Sequence, residues 1–398
     1  MKHKADFAVS KSTQACLLDE AVPLPAAVIK ATALANNIRW MQTFANAAGV
    51  GLAPHGKTSM TPAIFQQQLA AGAWGLTVAT PYQALIAAQA GAKRIILANQ
   101  LVGKANMAVV AGLLQQGVQL FVCVDNSNNA RQLSAYFSEF NVQLPCLVEL
   151  GTLTGRCGLR DIDSSLQLAD TIHQLDGLAL AGVEFYEGIA QDEASVRQWI
   201  QQAGRLCHQL QQRYLIGQTA ILTGAGSVWY DVVAAELQSL NTNNSIEVVL
   251  RPGCYITHDH QLYARAQQQV QQRSTLAQQV PGDLQPALEV AAYVQSLPEP
   301  GLAVLGLGKR DIAFDAGMPK VLRIYRAGQA LSLDLTGCES KKIMDQHTFW
   351  HYPPELVLQI GDIAILGSSH PCLTFDKWRS IWLVDDHYRL LEAMDTCF

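Results

Sequence analysis

The run Pro54-His55-Gly56-Lys57-Thr58 follows an apolar stretch containing Val50, Leu52 and Ala53. Valine, leucine and alanine bounded by Gly49 and Pro54 read as a short buried strand, and charge is normally kept off the end of such a strand. If the strand belongs to a parallel barrel, its C-terminal end is where chemistry sits. Partly apolar surroundings disfavour an ammonium, and a free amine can attack a carbonyl to form a Schiff base. The other reading is a lysine on a surface loop. A second candidate lies far downstream, in Gly367-Ser368-Ser369-His370-Pro371-Cys372. On an extended segment residues i and i+2 point the same way, so the His370 imidazole and the Cys372 thiolate could share one ion. Their soft character suggests Zn²⁺ with open positions for water or substrate, although a His-x-Cys pair also arises by chance.

The elements that must position these residues alternate in type. Strand candidates are 50–53, 75–79, 94–98, 119–124, 145–150, 180–186, 219–222 and 246–250, each short and apolar on both faces. Helical patterns lie between them at 62–71, 81–90, 104–115, 128–137, 164–174, 192–213 and 229–238, and an earlier helix carries Leu34, Ile38, Met41 and Phe44. Such strands pair in parallel with helices outside, and eight of them in roughly 230 residues predict a (β/α)8 barrel. After about residue 265 the segments 288–294, 302–305, 321–325, 331–335, 362–366 and 380–384 are short, β-like and separated by Gly or Pro. The expected division is a barrel over 34–265 and a β domain over 266–398, joined by a strand from residues 1–33.

The barrel strands would end in Thr80, Asp125, the run from Glu149 through Arg156 and Cys157 to Gly158, Glu184-Phe185-Tyr186-Glu187-Gly188, Thr223-Gly224-Ala225-Gly226-Ser227 and Arg251-Pro252-Gly253-Cys254-Tyr255. Glycines after the seventh strand let backbone amides approach an anion, and the loops after strands seven and eight are the usual phosphate site of barrels. Ser227 and Tyr255 could add hydroxyls. Taken alone, Gly-Ala-Gly also suits a plain turn.

Composition narrows the classes. The chain has 398 residues, 49% hydrophobic and 15% charged, enough for a large core. A formal charge of −5 provides no basic field for nucleic acid or anionic lipid. No window has the apolar length of a membrane span, and Met1–Ser10 has no signal-peptide core. Nine scattered cysteines without a Cys-x-x-Cys pair point to reduced thiols in a cytoplasm.

The lysine motif, Thr77-Val78-Ala79-Thr80, Gly155-Arg156-Cys157-Gly158 and Arg251-Pro252-Gly253 together resemble the alanine-racemase-fold pyridoxal-phosphate enzymes, and within them the D-threonine aldolase and D-serine dehydratase group. The resemblance runs from about residue 22 to the C-terminus. It implies that Lys57 carries the cofactor with His55 packed nearby, and that Thr223, Gly224, Gly226, Ser227 and Tyr255 surround the phosphate. It also implies Arg156 at the phenolic oxygen, Tyr186 at the ring and Arg251 at the pyridine nitrogen. Ion pairs of Arg156 and Arg251 with Glu149 or Glu247 are the alternative for the two arginines.

In that group a His-x-Cys or His-x-Asp at this place binds the divalent metal, so His370 and Cys372 would hold Zn²⁺, or Mn²⁺ or another divalent ion. Cofactor plus metal implies a β-hydroxy D-amino acid substrate such as D-serine or D-threonine. Cys372 in place of Asp resembles the dehydratases, giving a 2-oxo acid and ammonia; the alternative is aldolase-type cleavage to glycine and an aldehyde. A racemase would need no metal, and a non-catalytic cofactor carrier needs neither the metal motif nor a large β domain. His347 matches a family histidine near the metal, but Gln346 stands where an acid is usual, which leaves that pair's role open. A homodimer is expected from the resemblance. His258, His260 and His351 read as ordinary polar residues, and the other cysteines as small buried apolar ones.

Overall fold

Strand β1 (Ala26–Lys30) and helix α1 (Ala31–Ala47) lead into eight parallel strands among the described residues, β2 (Gly51–Leu52), β3 (Leu76–Val78), β4 (Arg94–Gln100), β5 (Gln119–Val124), β6 (Leu144–Leu150), β7 (Leu178–Phe185), β8 (Ala220–Gly224) and β9 (Ile246–Leu250). The computed structural model describes residues 15–153, 155–190, 192–215, 218–240 and 245–398. Met1–Ser10, read above for a leader, and Thr154 lie outside the described residues. The sheet order is β2-β9-β8-β7-β6-β5-β4-β3. A bridge between His55 and Thr77, with Trp74 N–H donating to Leu52 O at 2.7 Å, joins the β2 segment to β3 and closes the (β/α)8 barrel. No helix of the described residues is long and apolar enough to cross a membrane.

Several crossover helices start on a proline or a side-chain cap that the sequence supplies. α2 (Pro62–Ala70) and α3 (Pro81–Gln89) begin on proline, which fits the first turn because it has no N–H to satisfy. Asn126, Asp161 and Asp192 accept backbone N–H bonds at the starts of α5 (Ser127–Phe137), α6 (Ile162–Gln174) and α7 (Glu193–Tyr214), caps typically worth about 1 kcal/mol each. Helices α4 (Lys104–Gln115), α8 (Tyr230–Leu240) and α9 (Leu262–Arg273) complete the ring. α9 continues past residue 265 and is followed by the short α10 (Thr275–Gln279).

Inside the barrel, Ala53, Ile96, Leu147, Ile221 and Val249 form a separate apolar cluster, with Trp74 and Phe121 packed against it. Side chains two residues further along a strand share its inward face. That step takes Leu147 to Glu149, Ile221 to Thr223 and Val249 to Arg251, so the interior changes from dry to charged towards the C-terminal mouth.

The remaining strands are β10 (Leu288–Glu299), β11 (Leu302–Leu305), β12 (Lys320–Arg326), β13 (Gln329–Ala330), β14 (Glu339–Ile343), β15 (Thr348–His351), β16 (Ile363–Gly367), β17 (Ser380–Val384) and β18 (Leu390–Asp395). Their sheet runs β13-β12-β16-β10-β1-β17-β18, with β11, β15 and β14 branching from β10. The expected early strand is β1, antiparallel to β10 and parallel to β17. Residues 331–335 are not the expected strand. Leu331, Leu333 and Leu335 keep the alternation and pack on the core, but past the Leu331 N–H bond to Ile324 O the segment leaves the ladder.

Candidate active site

Lys57 sits on a single 3₁₀ turn, Gly56–Thr58, at the mouth of β2. The turn is anchored by His55 N–H to Pro252 O at 3.1 Å and by Thr77 N–H to Pro54 O at 2.9 Å. Gly253 must be a glycine for this approach, since a Cβ there would lie 2.5 Å from Thr58 Oγ1 and 2.9 Å from the His55 carbonyl. The first and last barrel loops are therefore in van der Waals contact around the lysine. Burial first, then Lys57, Arg251 and Arg156, hold the His55 imidazole far below its usual pKa, so it is neutral.

Arg251 is buried and ion-paired with Glu184, and it also donates to Phe185 O at 2.8 Å. Its partner is neither Glu149 nor Glu247. Glu247 accepts from Trp74 Nε1 at 2.7 Å and lies 3.7 Å from Arg94, at the opposite end of the barrel. Glu149 accepts from Gln100. Burial, then the neighbouring Glu184 charge, raises the Glu149 pKa to about 8. Glu184 is also raised by burial, against the opposing pull of Arg251. Arg251 Nε and Glu184 Oε2 are buried with no hydrogen-bond partner among the described residues. Both orphaned groups lie at the C-terminal end of their strands and call for a polar ligand or water.

The β6 loop is folded back on itself. Gly158 N–H donates to Asp125 at 2.9 Å, and Arg160 binds the carbonyl oxygens of Cys157, Gly155 and Arg156. Gly158 has φ +89°, a conformation that favours glycine. This turn lays the Arg156 guanidinium over the Tyr186 ring, 4.4 Å from its centroid. Thr80 has a structural task instead, capping α3 through Gln83 N–H.

After β8, the amides of Ala225 and Gly226 donate to the buried Glu187 carboxylate at 3.0 and 2.6 Å. The amides of Gly253 and Cys254 donate to Ser227 Oγ at 3.2 and 3.1 Å. Tyr255 is buried and accepts from Gln68 at 2.9 Å, which leaves its own proton to donate. Thr223 donates to Val249 O and Gly224 O accepts from Arg251 N–H, so both shape the wall beneath this cradle. Glu187 had no role in the sequence reading. The four amides are thus taken by Glu187 and Ser227, which leaves the hydroxyl protons of Ser227 and Tyr255 to donate, and with the neighbouring lysine, arginine and tyrosine ring these fit an anionic aromatic aldehyde such as pyridoxal phosphate.

His370 and Cys372 arrive from the end of β16. The segment is not extended as expected, because Pro371 is helical at φ −59° and Cys372 opens α11 (Cys372–Phe375). The two side chains still converge, held by bonds of Ser368 and Thr374 to the His370 backbone at 3.1 Å. Cys254 joins them, so Cys254, His370 and Cys372 offer ligand atoms all within 4.8 Å of one another. Cys254 is buried, as expected of the other cysteines, but its sulfur lies beside this pair, a juxtaposition that its spacing, more than a hundred residues away, does not signal. Hydrogen bonding from Cys254 is the main cause holding the Cys372 thiol far below its usual pKa. His370 is raised to about 9, chiefly by Cys372 and then Asp315, whose carboxylate is 2.7 Å from Nδ1. A thiolate, an oriented imidazole and a second sulfur fit a divalent soft-metal ion.

His347 is exposed at the β14–β15 turn, outside this cluster. Its neighbour Gln346 donates to the buried Asp311 carboxylate, where an acid would be repelled. Burial lowers the pKa of His258 and of His260 to about 4.

The profile of the family described as alanine racemase, N-terminal domain, matches residues 29–241, and that of a putative serine dehydratase domain matches 287–384. The chain belongs to the alanine racemase N-terminal domain family and is a pyridoxal-phosphate-dependent lyase. It is 29% identical over 373 residues to a D-threonine aldolase of Arthrobacter sp., covering 92% of this chain and 90% of that protein. To a D-threo-3-hydroxyaspartate dehydratase of Delftia sp. (strain HT23) it is 33% identical over 166 residues, 41% of this chain and 43% of the other. The fold is shared with a D-threonine aldolase from Filomicrobium marinum, at a TM-score of 0.80, 24% identity and coverage of 96% and 97%.

Proposed function

We propose that this lyase is a pyridoxal-phosphate- and divalent-metal-dependent dehydratase of D-β-hydroxy amino acids such as D-serine or D-threonine, yielding a 2-oxo acid and ammonia. One observation carries the reading. The Cys372 sulfur lies 3.4 Å from Thr58 Oγ1, the residue after Lys57, so the metal-ligating cluster and the lysine open onto one mouth.

Lys57 is the residue that would carry the cofactor. Arg156 and Tyr186 flank its ring, and the hydroxyls of Ser227 and Tyr255 would hold its phosphate. Thr223, Gly224 and Gly226 shape that wall, His55 packs neutral beside it, and Arg251 presents its unpartnered Nε to the ring nitrogen. His370 and Cys372 would hold Zn²⁺ or another divalent ion. Bound there, pyridoxal phosphate supplies an electron sink for a bond broken at Cα, and the ion a Lewis acid for a β-hydroxyl.

The chain's own groups do the rest. Lys57 stands half-buried at the mouth, where its amine can take the proton at Cα. The Arg156 guanidinium, braced on Tyr186, would orient the cofactor's phenolic oxygen. The neutral His55 adds no third positive charge beside Lys57 and Arg251. The β domain, set over the turn through Cys372, limits water.

Cys372 as the second ligand and the matched dehydratase-type profile over 287–384 support dehydration. Aldolase-type cleavage is the second reading, supported by the likeness to the Arthrobacter enzyme along 92% of this chain. Product analysis decides. Incubation with D-threonine, pyridoxal phosphate and Zn²⁺ is expected to give a 2-oxo acid and ammonia, whereas glycine and acetaldehyde would overturn dehydration in favour of cleavage. The proposal includes a homodimer, supported by the exposed apolar side chains of Tyr82 at the start of α3 and of Val102, Leu153 and Ile189 on the loops after β4, β6 and β7.

A further inference from the structure

Cys254 and Cys372 come from different domains, one on the loop after β9 and the other on α11, yet their sulfurs are 3.5 Å apart. A disulfide would require about 2.05 Å. Two thiolates on one tetrahedral zinc, each at about 2.3 Å, stand about 3.8 Å apart. The observed separation is thus close to that of two sulfurs bound to a common ion, and both cysteines are free. The third donor is equally prepared. Asp315 holds His370 Nδ1 at 2.7 Å, which leaves Nε2 to face the sulfurs, the usual carboxylate–imidazole–metal arrangement. Cys254 is fixed before any ion arrives, since its amide and that of Gly253 are both held by Ser227.

We propose that Cys254 is a third protein ligand, so that the ion is held by two thiolates and one imidazole with one position open to substrate. This rests on the reading that His370 and Cys372 bind a metal, and it goes beyond that reading by adding a ligand from the barrel. Two consequences follow from the chemistry. Two thiolates select Zn²⁺ over the harder Mn²⁺ and Mg²⁺. The ion also becomes a cross-link between domains, tying the β domain to the loop that carries Tyr255.

The test is zinc K-edge absorption fine structure on the zinc-loaded holoenzyme, together with zinc affinity from chelator competition. The wild type is expected to show two sulfurs at about 2.3 Å, and Cys254→Ala or Cys254→Ser one. Zinc affinity should fall in those variants by more than the roughly 10–100-fold that loss of an outer-shell partner costs. The visible absorbance of the bound cofactor reports that each variant is folded, and the wild-type sulfur count decides even if neither variant folds. One sulfur in the wild type, unchanged by Cys254→Ala and lost in Cys372→Ala, overturns the Cys254 assignment while leaving the His370–Cys372 site standing. No bound zinc, or none with sulfur, overturns both.

Discussion

Cys372 Sγ stands 3.4 Å from Thr58 Oγ1 although the two residues are 314 positions apart, so the C-terminal domain touches the turn that carries Lys57. An ion at Cys372 and an amine at Lys57 would then act on adjacent atoms of one small substrate. Chelation is accordingly expected to suppress turnover of D-threonine while leaving the visible absorbance of the bound cofactor in place, and added Zn²⁺ should restore activity. Full activity after exhaustive dialysis against chelator would remove the metal from the reading.

Lys57→Ala should abolish the cofactor's visible absorbance band and cut turnover by about 10³-fold or more, since it removes both the attachment point and the proton-transferring amine. Absorbance and steady-state product formation check this together. A variant that keeps both would place the chemistry elsewhere.

Arg251→Ala should destabilise the protein by about 3–5 kcal/mol, because it strands the buried Glu184 carboxylate without its counter-charge. Removing both charges together, as Arg251→Met with Glu184→Leu, should cost less. Urea denaturation of the three proteins at saturating cofactor measures the difference, and equal losses would mean that Glu184 is not left uncompensated.

Stability should fall as pH rises from about 4.5 to about 8, because of Glu149. Its folded pKa is raised to about 8 from 4.5, so the native protein binds a proton that the unfolded chain has already released. That stability is complete below about 4.5 and gone above about 8. Glu149→Gln should flatten this limb of the urea midpoint against pH. An unchanged slope would assign the limb to other groups.

Much of the barrel was legible because parallel strands are buried on both faces and therefore appear as plain apolar runs between capped helices. The β-domain strands that escaped notice lack that signature. β14 is Glu-Ser-Lys-Lys-Ile and among the described residues pairs only with β15, while β18 is mostly exposed at a sheet edge. The site divided in the same way. Lys57, His370 and Cys372 stand in short local motifs, but Glu187 matters only because amides 38 and 39 residues later turn towards it, and Cys254 only because a second domain folds over it. Contacts that distant leave no spacing to read.

Gly253→Ala tests whether the first and last barrel loops hold the lysine in place. The added methyl would meet Thr58 Oγ1 at 2.5 Å and the His55 backbone oxygen at 2.9 Å, and the latter cannot rotate away. The Gly56–Thr58 turn must then shift, carrying Lys57 with it, and overpacking of this kind costs about 1–3 kcal/mol. A displaced amine also meets the cofactor in the wrong position, so cofactor affinity should drop by about 10-fold or more even where the fold survives. Fluorescence titration with pyridoxal phosphate, beside a urea midpoint, separates the two effects. Unaltered affinity with reduced stability would mean that the turn moves as a whole with its pocket, and that Gly253 serves packing rather than the placement of Lys57.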